Sequence, residues 1–170
     1  LLDSDNRIVT EASWPQLLDR LASDWYVHHS DAITAGRAPS QMIAERNRDR
    51  VELNARAQAL LAADGRLGPA MDIGDTRLHV GDRVIAQKQA PELVAPGRDR
   101  HQHVLNGSTG TVLRFTGPER TPNAVIEFDG LGPIEVPHAF IEQDIGNGRG
   151  GGIAPAYAIT SYKAEGQTYE

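Results

Sequence analysis

The chain has 170 residues, is 39% apolar and 24% charged, and carries a formal net charge of -6 with no cysteine. That is enough apolar residue for a packed core, while the missing thiols exclude disulfides, thiolate zinc sites, iron–sulfur clusters and cysteine nucleophiles. No apolar run reaches the roughly 18 residues a membrane helix needs, no secretory pattern is visible at the start, and a pI near 5.5 argues against nucleic-acid binding by this chain alone.

In chain order, Asp3-Ser4-Asp5-Asn6 reads as a polar turn and Arg7-Ile8-Val9-Thr10 as a short extended run. Ser13 before Trp14-Pro15 is a helix start: an N-cap with a proline in the first turn. Trp14, Leu17, Leu18, Leu21 and Trp25 recur at three- and four-residue steps. They predict a helix over 14–29, ending in His28-His29-Ser30-Asp31, with both tryptophans in the core. Gln41-Met42-Ile43-Ala44 predicts a buried strand. Asn47 or Asp49 can cap the next helix, over 48–63, which Val51, Leu53, Ala57, Leu60 and Leu61 mark and Asp64-Gly65 stops. Strand, polar turn and helix make half of an α/β unit.

The texture then changes. Between residues 75 and 140 short strands alternate with turns: Leu78-His79-Val80, Arg83–Ala86, Gly110–Phe115, Ala124–Phe128 and Ile134–Val136. Residues 88–103, with Pro91, Pro96 and Gly97, read as a long solvated loop. Asn106-Gly107 is a hairpin signal. The set predicts a small SH3-like β-barrel. Gly146–Gly152 reads as a linker, and Ala156–Thr160 returns to a buried-strand pattern. The predicted fold is α/β with an inserted barrel: residues 1–74, then 75–145 as the barrel, then 146–170 returning to the first unit. The strand ending near Ala44 and the strand ending near Thr160 are expected in one parallel sheet.

The stretch Ala156-Tyr157-Ala158-Ile159-Thr160-Ser161-Tyr162-Lys163-Ala164-Glu165-Gly166-Gln167-Thr168 resembles motif V of superfamily 1 DNA helicases of the RecD-like branch. It matches at Tyr157, Ala158, Thr160, Lys163, Ala164, Gly166 and Thr168. It departs at Tyr162 and Glu165, where His and Gln are usual. Gln41–Ala44 with Arg46-Asn47-Arg48 and Leu53-Asn54 resembles the motif IV strand and helix. Val80-Gly81-Asp82-Arg83-Val84-Ile85 and Leu105-Asn106-Gly107 through Gly110-Thr111-Val112 resemble the SH3-like insert called 2B. Asp24-Trp25 and Ala62–Gly68 are similar to helicase regions of TraA/TrwC-type (MobF) conjugative relaxases.

The resemblance implies a fragment of the second RecA-like domain (2A), the C-terminal half of a P-loop NTPase motor, with its 2B insert. The opening Leu1-Leu2 fits a piece of a longer protein. It implies a cytoplasmic parent that uses ATP and Mg2+, acts on single-stranded DNA, and works with the rest of the helicase polypeptide. No Gly-x-x-x-x-Gly-Lys-Ser/Thr, Walker B pair or motif VI is present. The fragment alone is therefore expected to hold no cofactor or metal and no catalytic residue. By the same resemblance Thr160, Tyr162 and Lys163 contact DNA, with Asn106 and Gly107 at the barrel rim, while Arg46, Gly166 and Thr168 face the nucleotide. The plain alternatives are a surface lysine and arginine and an ordinary turn at Asn106-Gly107. Two other functions stay open: a non-motor SH3-like binding module, and a degenerate helicase domain kept as a scaffold for protein or single-stranded DNA contacts.

Overall fold

The computed structural model describes residues 11–97, 99, 102–146 and 151–161. In chain order the elements are α1 (Trp14–Thr34), β1 (Met42–Ala44), α2 (Asn47–Ala63), β2 (Ala70–Ile73), β3 (Thr76–His79), β4 (Arg83–Ala86) and β5 (Ala90–Val94). There follow β6 (His103–Val104), β7 (Thr109–Thr116), β8 (Asn123–Phe128), β9 (Gly132–Val136), α3 (His138–Glu142), β10 (Ile153–Pro155) and β11 (Ala158–Thr160).

Helix α1 starts on the extended backbone of Ser13, whose hydroxyl donates to Gln16 Oε1 at 3.0 Å. It continues past the expected stop at residue 29. The cause is a buried stripe of Leu18, Ala22, Trp25, His29 and Ala32, at alternating four- and three-residue steps. His29 belongs to that stripe and stacks on Trp25, with ring centroids 4.5 Å apart. Trp14 does not belong to the core. It is 51% exposed, and its indole N–H donates to Asp49 Oδ1 at 2.9 Å, tying the start of α1 to the first turn of α2. The N-cap of α2 is Arg46 rather than Asn47 or Asp49, and no side chain caps it.

Leu53, Ala57 and Leu61 of α2 pack with Leu18, Ala22 and Trp25 of α1 over Met42, Ala44 and Ala158. Those last three belong to the expected parallel pair, β1 and β11, in the register Met42↔Ala158, Ile43↔Ile159 and Ala44↔Thr160. This α/β unit is thus assembled from two stretches with the whole β region between them.

The β region has its own core, with Ile73, Val84, Val112, Ile126, Phe128 and Val136 among its members. One five-stranded antiparallel sheet runs in the order β10-β4-β7-β8-β9. The hairpins β2–β3 and β5–β6 flank it. Among the described residues no ladder joins β9 to β10, so the sheet stays open where a closed barrel was expected. The chain leaves β9 through α3, whose Phe140 and Ile141 enter the core, so apolar packing covers what a closing ladder would cover.

Three further readings change. The loop expected over 88–103 contains β5 and β6, and Ala90, Leu93, Ala95 and Val104 are buried. Asn106-Gly107 does not connect a hairpin, because β6 pairs with β5 while β7 pairs with β4 and β8. Instead the turn docks on the end of β4: Gly107 N–H donates to Ala86 O and Ala86 N–H to Ser108 O, both at 2.8 Å. The expected linker contains the start of a packed segment. Gly151 and Gly152 are buried against α3, where a Cβ on Gly151 would lie 1.7 Å from Ile141 O. These are glycines because another backbone occupies the side-chain position.

Candidate functional site

Parallel strands put their carboxyl ends at one edge, and ligands of open α/β sheets bind at such edges. Here that edge carries Ala44 and Thr160 side by side. Arg46 follows two residues after Ala44, exposed, at the amino end of α2. That end presents backbone N–H groups and a positive partial charge. Of the sequence-predicted site residues, Arg46 and Thr160 are therefore brought to one edge. Asn106 and Gly107 are not brought there. Their turn hangs on Ala86, which pairs with Ile153 at the start of β10, whereas Thr160 closes β11 at the far end of that segment. Tyr162, Lys163, Gly166 and Thr168 lie outside the described residues, as do Arg98, Arg100 and His101 of the charged loop.

Behind the edge lies a buried polar seam that the sequence reading did not pick out. Asn54 reaches from α2 to the backbone of the returning strand. Its Oδ1 accepts the N–H groups of Tyr157 (3.0 Å) and Ala158 (2.9 Å), and its Nδ2 donates to Ala158 O at 3.0 Å. These bonds fix the start of β11 and so the position of Thr160 at its end. One turn further, Gln58 Nε2 donates to Asp82 Oδ2 at 2.7 Å and to Arg77 O at 3.0 Å. Asp82 is fully buried and takes two more donors: Tyr157 OH at 2.7 Å on Oδ1 and His79 N–H at 2.6 Å on Oδ2. Arg83 N–H in turn donates to Tyr157 OH at 3.3 Å.

Burial pushes the Asp82 carboxyl above its ordinary value, against the pull of its donors Tyr157, His79 and Gln58. The Tyr157 phenol is pushed up as well, by burial first and by the neighbouring carboxylate second. It titrates far above neutral pH and acts only as a hydrogen-bonding hydroxyl. The signals that could have found this seam were present. Tyr157, Asp82 and Asn54 are polar residues within or beside buried strand patterns, and a polar group in such a place needs a partner.

Arg50 was also missed. It sits on the second turn of α2, only 5% exposed, and burial pushes its guanidinium below the ordinary arginine value. With Asn54, Gln58, Thr76, Arg77 and Pro155 it lines a cavity of about 150 Å3 between α2 and the β region. Among the described residues no group of three His, Asp or Glu side chains could hold a metal ion, and no helix is long and apolar enough to cross a membrane.

No family model matches this chain, and no curated protein matches it. Solved structures do show a likeness. One is unliganded Pif1 from Bacteroides sp, with a TM-score of 0.39 and 15% identity, covering 76% of this chain and 44% of that one. Another is Bacteroides sp Pif1 in complex with ADP-AlF4, with a TM-score of 0.41 and 14% identity, covering 95% of this chain and 38% of that one. The chain thus spans less than half the length of either protein, and likeness at this level carries no functional information.

Proposed function

We propose that this chain is part of an ATP-dependent DNA motor of superfamily 1, of the RecD-like branch and from a conjugative relaxase-helicase. It contributes the edge where nucleotide state and single-stranded DNA are coupled. The observation that supports the reading is the register Ala44↔Thr160. It joins the two stretches that resemble motifs IV and V into one parallel pair with a shared carboxyl edge. In this reading Thr160 and Lys163 donate to DNA phosphates, and Tyr162 stacks on a base, a contact worth about 1–3 kcal/mol. Arg46, Gly166 and Thr168 face the nucleotide, and ATP and Mg2+ are bound mainly by a partner domain. Asn106 and Gly107 serve as a separate rim contact. In this reading the chain alone does not complete ATP hydrolysis, since its sequence holds no phosphate-cradling loop.

A second reading is favoured by one observation. The β region completes its own core without the α/β unit, as a binding module would. Titrating a labelled single-stranded oligonucleotide into the chain separates the two. The motor reading expects weak binding that weakens steeply with salt and is lost in Lys163→Ala. Sub-micromolar affinity, or binding indifferent to Lys163→Ala, contradicts it.

A further inference from the structure

Among the described residues the α/β unit and the β region have separate apolar cores, and a small third cluster of Ile85, Ala154 and Ala156 stands apart from both. A close-packed interface would fix their relative orientation by shape alone. Here the cavity of about 150 Å3 opens beside the contact, lined from the α/β side by Asn54 and Gln58 and from the β side by Thr76, Arg77 and Pro155. What crosses the gap is polar and buried. Gln58 spans two points of the β region, Asp82 and Arg77 O, and Tyr157 and Asp82 bridge at 2.7 Å.

We propose that Asp82, Tyr157 and Gln58 form a latch that sets the orientation of the β region on the α/β unit through hydrogen bonds rather than apolar packing. The donor count explains why a carboxylate is needed. Tyr157 O–H, Gln58 N–H and His79 N–H all point at Asp82, and only an acceptor with two bare oxygens satisfies the three. An amide in its place donates where the carboxylate accepted: toward Gln58 and His79 it faces donors, and toward Tyr157 it turns the hydroxyl into an acceptor and takes away the acceptor of its proton. The titratable groups facing Asp82 are Tyr157, just before β11, and the His79 side chain at the end of β3, with Arg83 of β4 bonded in turn to Tyr157. The neighbouring aromatic packing does not need the hydroxyl: the Tyr157 ring lies 5.5 Å from Trp25 and 6.5 Å from His29 between centroids. Removing one oxygen therefore opens the latch and leaves the core in place. This inference does not depend on the DNA-motor reading.

The chain has no cysteine of its own, so two introduced thiols are its only labelling sites. Spin labels on Val27→Cys in α1 and Leu113→Cys in β7, both exposed positions, report the distance between the two units. With the latch intact the distance distribution is single and narrow. In Tyr157→Phe and Asp82→Asn it broadens or splits, while the circular dichroism of both variants keeps its helix and strand content. A narrow, unshifted distance in Tyr157→Phe overturns the latch and assigns the orientation to packing. A broad distribution in the parent chain overturns it equally. If Asp82→Asn fails to fold, Tyr157→Phe decides alone.

Discussion

The two units are held together by different means. The β region is built from antiparallel ladders, of which β7–β8 and β8–β9 join neighbours in sequence while β4–β10 does not, and every described strand feeds one apolar core. The α/β unit must recruit a strand from the far side of that region, and among the described residues its sheet has two strands of three residues each. One face of that pair is unevenly covered: Ile43 is 57% exposed, while its register partner Ile159 is buried. Parallel pairs are ordinarily covered on both faces. So short a pair offers little backbone pairing, and Asn54 makes up for it by bonding β11 directly. The candidate edge at Arg46 and Thr160 thus rests on polar side chains of α2 as well as on the apolar cluster shared by α1, α2 and the strand pair.

The largest expected effect lies in the β region. Gly151→Ala places a methyl 1.7 Å from Ile141 O, which costs more than about 4 kcal/mol and belongs to the exceptional class of substitutions. Hydrogen exchange at Phe140 and Ile141 rises to the rate of an unprotected segment. Next comes the α/β unit. Asn54→Leu strands the Tyr157 and Ala158 N–H groups and the Ala158 carbonyl, a loss of about 3 kcal/mol. Protection is lost in β1 and β11 while β7 and β8 keep theirs. If β7 and β8 lose theirs equally, the two units are one cooperative body and the comparison breaks.

Acid affects the α/β unit through His29. Burial, then the nearby Arg66 charge, lowers this imidazole from its ordinary value of 6.5. As pH falls through 6.5 the unfolded chain takes a proton that the folded chain refuses, so stability drops from there down to the folded value. Melting temperatures followed across that window show the drop, and His29→Phe flattens it. Tyr157→Phe costs only about 1 kcal/mol of stability, because its effect is on orientation. Smallest of all, Asn106→Ala shifts the melting temperature by less than the equivalent of about 0.5 kcal/mol, as expected of an exposed turn position.

Much of this was legible. The three/four spacing, a local signal, placed the start of α1, and the family pattern of two distant stretches placed the parallel pair. The open sheet was not legible, since a closing ladder is decided by where α3 packs. Strand β5 was hidden because Pro91 and the charges around it mask the buried Ala90 and Leu93. Gly151 and Gly152 look like linker residues in sequence, and only the approach of the α3 backbone shows why they are there. Asn54 and Asp82 are polar letters in buried places, and hydrophobic periodicity is blind to such residues.

In the proposed function, single-stranded DNA meets the edge shared by β1 and β11. Photo-crosslinking a bromodeoxyuridine oligonucleotide to the chain, with the adducts mapped by peptide mass spectrometry, tests it most directly. The account predicts adducts in the peptide running from Thr160 through Lys163, reduced in Thr160→Ala and Lys163→Ala. Adducts confined to the β region, or none at the 160–168 stretch, would contradict it.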